Sequence, residues 1–132
     1  MPREVRKDFP FGLMVIVNIL LATICFATPP SDTMTCHNAL VGRDTPKGVF
    51  VLQQRLTDSP YYGGDVLQFR EDENELFAIH RVWLGRPKEQ RERRLKSPDA
   101  EQRHITKGCV NVDPMVYDAL VKHHSTSTLI IR

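Results

Sequence analysis

Residues 76–83, LFAIHRVW, constrain the fold more than any other stretch, because an extended chain here is apolar on both sides. Leu76, Ala78, His80 and Val82 share one face, and Phe77, Ile79, Arg81 and Trp83 share the other. Such a strand has to be covered on both faces, which places it inside a sheet. Shorter strand signals surround it: GVFVLQQRL (48–56), the alternating DVLQF (65–69) and the closing STSTLIIR (125–132). SPYYGG (59–64) and EDENE (71–75) read as the turns between them. One helix is expected late in the chain. Asp113 is a natural N-cap, Pro114 suits the first helical position, and Val116, Ala119, Leu120 and His123 fall on one helical face. The fold class is therefore mostly β with a single C-terminal helix.

The chain of 132 residues is long enough for one domain, and 41% hydrophobic residues allow a core. A net charge of +2 is too small to argue for nucleic acid. Residues 1–27 have the form of an export segment. Arg3, Arg6 and Lys7 precede an apolar run over residues 11–27 that only Asn18 interrupts, and TPPSD follows. Two readings are open: a signal peptide cleaved after Ala27, or an uncleaved helix anchoring the chain in the inner membrane. The organisation expected is a signal or anchor helix over 1–27, a linker over 28–38 and a folded domain over 39–132. Both readings export that domain to the periplasm or cell envelope, where cysteines commonly pair. Cleavage would leave Cys36 and Cys109 as the available pair. Residues 84–104, with seven basic and four acidic side chains, read as a solvated excursion with a short helix opened by Pro87 and continuing to Leu95. No aromatic side chain is interleaved among those charges to stack on bases.

Cys109 lies in ITKGCVNV (105–112), and three roles are open to it: packing, a disulfide, or reaction. As a nucleophile it needs a base or a positive environment. The N-terminus of the expected helix lies a few residues on and would favour a thiolate. Gly108 permits close backbone approach, and the amides of Gly108 and Cys109 are candidate oxyanion donors. Of five histidines, His80 alone sits in a strong strand, which fixes its position and makes it the best candidate base. Neither a metal-ligand spacing nor a phosphate-cradling loop is present in the sequence, and no cofactor is called for.

Three ordered motifs resemble the L,D-transpeptidase catalytic domain, a bacterial family that crosslinks peptidoglycan. Thr45-Pro46-Lys47-Gly48-Val49-Phe50 is similar to its Thr-Pro-x-Gly-x-Phe element, and Ile79-His80 to its Ile-His strand end. Thr106-Lys107-Gly108-Cys109-Val110-Asn111 is similar to its Ser/Thr-x-Gly-Cys-hydrophobic-Asn/Arg motif. The resemblance covers residues 39–132 and implies a compact β-sandwich or barrel. It also implies acyl transfer on peptidoglycan stem peptides, with Cys109 forming a thioester and His80 moving the proton. Hydrolysis of the thioester instead would be carboxypeptidase activity. Gly108 and Cys109 would hold the oxyanion, Thr106 and Asn111 would shape the site and orient the stem, and Arg81 and Lys107 are further substrate-facing groups.

The chain departs from the pattern in three places. Lys107 stands where the common motif has a histidine, and its charge could favour the thiolate. His80 and Cys109 lie 29 positions apart, longer than the common form, the excess falling in the charged excursion, which could act as a lid. Few residues separate Ala27 from Thr45, leaving little room for the strand hairpin with which the family's domain begins. A second reading is thus an inactive exported envelope protein on the same fold, for which a Cys36–Cys109 disulfide would be the sign.

Overall fold

The computed structural model of the chain describes residues 13–132, and the basic residues Arg3, Arg6 and Lys7 lie outside them. Among the described residues, eleven strands form three sheets. The first sheet runs β3 (Met34–Asn38), β2 (Thr23–Ala27), β1 (Met14–Asn18), β11 (Thr128–Ile131), β5 (Gly48–Val51). The second runs β10 (Val110–Val112), β8 (Leu76–Arg81), β7 (Asp65–Glu71), β6 (Gln53–Leu56), and β4 (Val41–Gly42) pairs with β9 (His104–Thr106) as a third. The first two pack face to face. Val15, Val17, Ile24, Phe26, Leu129 and Ile131 meet Leu67, Phe69, Phe77, Ile79, Val110 and Val112 in one core. These are the inward positions of alternating strands, the arrangement of a sandwich. Both sheets are open-edged, so the barrel alternative is not what the chain adopts.

The expected signal or anchor helix over 1–27 is the main correction, within its described residues 13–27. Residues 14–18 and 23–27 are strands, and they occupy interior positions of the five-stranded sheet. Val15, Val17, Ile24 and Phe26 are sealed in the core. The hairpin turns through Ala22 at φ 51°, with Asn18 Oδ1 accepting the Leu21 amide at 2.9 Å. The opening hairpin for which the sequence left little room is therefore built from the apolar run itself. Strands from residues 14–38 supply three of the five in this sheet, so the folded unit extends well N-terminal of residue 39. Among the described residues no helix is long and apolar enough to cross a membrane.

A second difference concerns residues 48–56, expected as one strand. Leu52, 1% exposed, divides the run. β5 ends before it in the first sheet, and β6 begins after it in the second. Helical structure also shifts slightly. A short helix, α1 (Arg91–Leu95), follows a 3₁₀ turn at Pro87–Glu89, and α2 (Pro114–His124) is the expected C-terminal helix, with Asp113 accepting the Met115 amide. On α2 the buried residues are Tyr117, Leu120 and His124 rather than a stripe ending at His123. His124 is held by Ser127 Oγ at 2.9 Å and donates to the Ala27 carbonyl at 2.7 Å.

The charged excursion is largely exposed, as expected, but it is anchored at two buried residues. Leu95 packs with Leu40 and Val82, and Arg103, 4% exposed, donates to the carbonyls of Leu21 and Ala22 at the tip of the β1–β2 hairpin. Of the roles left open for Cys109, the disulfide is not the one adopted. Cys25 and Cys36, directly opposite on β2 and β3, form the disulfide, and Cys109 is free. Without reductant, one thiol per chain should titrate, and peptide mapping should assign it to Cys109. Closing a loop with a sequence separation of 11, the disulfide should contribute about 3 kcal/mol, read as the loss on urea unfolding of a Cys25→Ser/Cys36→Ser double variant.

Candidate active site

The site is built by parallel pairing of β8 with β10, in register Ile79 to Val110 and His80 to Asn111. Directly paired residues project to the same side of a sheet, so Asn111 lies beside His80, and Cys109 enters two residues earlier on that side. Cys109 and His80 both line a cavity of about 250 Å³. Tyr62, Leu76, Phe77 and Trp83 give it an apolar wall, and Glu75, Arg91 and Lys107 bring charge to it.

His80 is 2% exposed. Its Nδ1 lies 2.7 Å from the Arg81 carbonyl, which can only accept, so Nδ1 carries the hydrogen and Nε2 keeps a lone pair. Asn111 stands against that lone pair, with Nδ2 3.4 Å from Nε2. The amide orientation follows from its partners: Oδ1 accepts from the Trp83 amide at 3.1 Å and from Arg91 Nη1 at 3.0 Å, leaving Nδ2 for His80. Asn111 is 0% exposed and is also bonded through its backbone to Leu40. Its side chain faces the imidazole rather than solvent. Tyr62 covers the other side, its ring centroid 4.4 Å from that of His80.

The thiol of Cys109 donates to the Leu76 carbonyl at 3.6 Å. Burial pushes its pKa up, with the Ala78 amide and the Arg91 charge acting the other way and Glu75 adding to the rise. Burial also lowers His80 to about 4, with the Arg81 carbonyl opposing and the Arg91 charge assisting. The resting pair is thus a neutral thiol beside a neutral imidazole. This differs from the expected thiolate. The helix N-terminus carries its own counter-charge in Asp113, and the Lys107 ammonium pairs with Glu75 at 3.7 Å.

Other expected site residues take supporting places. Thr106 Oγ1 donates to the Cys109 carbonyl at 2.6 Å and closes the turn that presents the thiol. A Cβ on Gly108 would lie 2.5 Å from the Phe77 ring, so glycine is required there by the packing. The Gly108 and Cys109 amides have no backbone acceptor among the described residues. Arg81 is not in the cavity. On the opposite face of β8 it pairs with Asp65 at 2.9 Å, stacks on Tyr117 and donates to the Tyr62 carbonyl, pinning the loop that carries Tyr62. Gly63 in that loop has φ +84°, and a Cβ there would strike Arg81.

Sequence reasoning missed Tyr62, Trp83 and Arg91. Tyr62 was legible only as part of a turn and Arg91 only as one charge in a polar run. For Trp83 a signal existed in its place just past the central strand, but not in which cavity its ring would border.

Because His80 is neutral when folded, the unfolded chain takes up a proton below pH 6.5 that the folded protein refuses until about pH 4. Its contribution is complete above pH 6.5 and declines as pH falls through that window. Between pH 7 and pH 4.5, the wild type should lose about 2 kcal/mol more than His80→Gln in urea unfolding. Equal losses would contradict a buried neutral imidazole. Alkylation of Cys109 by iodoacetamide should likewise be slow at pH 7 and accelerate only in alkaline solution.

Neither a protein-family model nor a curated protein matches the sequence. Solved structures do match. An L,D-transpeptidase from Mycobacterium smegmatis superposes with a TM-score of 0.56 at 16% identity, over 92% of this chain and 58% of that one. L,D-transpeptidase 3 from Mycobacterium tuberculosis gives 0.61 at 11% identity, over 92% and 61%. The helical cell shape determining protein Pgp2 from Campylobacter jejuni gives 0.54 at 14%, over 90% and 46%. The chain thus spans between about half and three-fifths of the length of these proteins. With its parallel His80 and Cys109 strands, its two packed sheets and these neighbours, the chain has an L,D-transpeptidase-like fold.

Proposed function

We propose that the protein is a cysteine acyltransferase of the cell envelope that crosslinks peptidoglycan stem peptides by L,D-transpeptidation. The observation that carries this reading is a free Cys109 thiol sharing a cavity with His80, whose Nε2 lone pair is engaged only by a long 3.4 Å contact from Asn111 Nδ2, within an L,D-transpeptidase-like fold. The disulfide that would have marked an inactive protein is absent, since Cys36 pairs with Cys25. That bond also favours an exported, oxidising location.

In the reaction, the Cys109 sulfur bonds to the carbonyl carbon linking an L-centre to a terminal D-amino acid, and the S–H proton passes to His80 Nε2. The C–N bond then breaks, and the departing amine takes that proton from His80. The amine of a second stem attacks the thioester, its proton passes through His80, and the Cys109 thiol is restored as the crosslink forms. Water in place of the amine gives a carboxypeptidase. The Gly108 and Cys109 amides are the donors offered to the oxyanion. A neutral resting pair suits this sequence, because the thiol surrenders its proton only as sulfur attacks. Lys107 at the rim, paired with Glu75, stands nearest to solvent for contact with an anionic stem.

Purified tetrapeptide muropeptides should release the terminal D-amino acid and yield crosslinked dimers. A carbapenem should add covalently to Cys109, with no adduct on Cys109→Ala and adduct formation slowed at least ~100-fold in His80→Ala. An unchanged protein mass together with unaltered muropeptides would support the inactive envelope-protein reading instead.

A further inference from the structure

Among the side chains of ionisable type that line the cavity are Glu75, Lys107 and Arg91. Glu75 and Lys107 pair with each other, and Lys107 leaves 80% of its side chain in solvent. Arg91 is different. Its side chain is only 11% exposed, and three contacts fix it. Nε donates to Glu89 at 2.7 Å, Nη1 donates to Asn111 Oδ1 at 3.0 Å, and the guanidinium lies 4.9 Å from the centroid of the Trp83 ring. Nη2 takes no acceptor among the described residues, yet it is not among the buried atoms left without a partner. A guanidinium stacked through its face and tied at two nitrogens keeps one N–H edge without a protein acceptor, on a residue that lines the cavity and the neighbouring pocket. That is a prearranged carboxylate receptor, because the planar fork matches a carboxylate and little freedom is lost on binding.

The acyl-transfer reading, on which this inference rests, supplies the carboxylate. The leaving residue is C-terminal, so its free carboxylate is borne by the carbon attached to the scissile nitrogen. We propose that Arg91 binds that terminal carboxylate and so restricts Cys109 to the last peptide bond of a stem. The Glu89 partner reduces the cation's net charge without occupying Nη2, and Trp83 forms an apolar floor that limits competition from water.

The test uses two donor tetrapeptides, one with a free C-terminal carboxylate and one with a C-terminal amide, and follows acylation of Cys109 by intact-protein mass. The wild type should react with the acid about 10- to 100-fold faster than with the amide, the usual margin for a charge-assisted hydrogen bond. Arg91→Gln should bring that ratio close to one, and Arg91→Lys should restore part of it. Any general disturbance of Asn111 and His80 lowers both rates together and cancels in the ratio. A ratio near one in the wild type, or a ratio unchanged in Arg91→Gln, overturns the inference while acyl transfer stands. A preference that follows amidation of a side-chain carboxylate, rather than the terminal one, overturns it as well. Acylation of the wild type by neither peptide overturns the acyl-transfer reading and this inference with it.

Discussion

The register of β8 against β10 is the constraint on which the rest of the site depends. Because the pairing is parallel and sets His80 opposite Asn111, side-chain alternation alone delivers Cys109, Asn111 and His80 to one face. A slip of one residue would send the imidazole to the side where Arg81 now meets Asp65 and Tyr117. Leu40 secures the outer edge of β10 through two backbone bonds to Asn111, at 2.8 and 2.9 Å, so the strand carrying the site is held from both sides. The buried amide then serves two elements at once, accepting from Trp83 and Arg91 while facing His80. Few arrangements satisfy all those groups, which is the usual reason for a buried polar network to fix one geometry.

Much of this was legible in the sequence. The two-sided apolar pattern of residues 76–83 identified an interior strand, and β8 does lie between β10 and β7. Asp113-Pro114 marked the start of α2 correctly. The N-terminal run was misread because its physics is ambiguous. Met14 and Ile16 lie on the outer side of β1 and Val15 and Val17 on the inner, so no polar residue breaks the run until Asn18. A strand apolar on both faces and the core of an export signal then look alike. With that segment assigned elsewhere, Cys25 was set aside as a partner, and the Cys25–Cys36 bond was not legible.

The excursion over residues 84–104 escaped for another reason. Charge-rich composition correlates with exposure but does not determine it, since arginine can bury its stem while its head saturates carbonyl oxygens. Arg103 does so at the β1–β2 turn, while Arg91 at the cavity is held by the Glu89 carboxylate and the Asn111 side chain. Neither role leaves a periodic trace. Each depends on contacts between segments far apart in the chain, Arg103 with Ala22 and Arg91 with Asn111.

The pairing of β1 with β11 carries a consequence for how the molecule comes into being. Met14 lies against Thr128, so the middle of the five-stranded sheet joins the first described strand to the last. A nascent chain therefore holds an unsatisfied strand edge throughout synthesis, and the sheet cannot be completed until β11 is available. Topologies of this kind assemble slowly and leave apolar segments open in the meantime. The chain therefore reaches its folded state only after its last strand has been made.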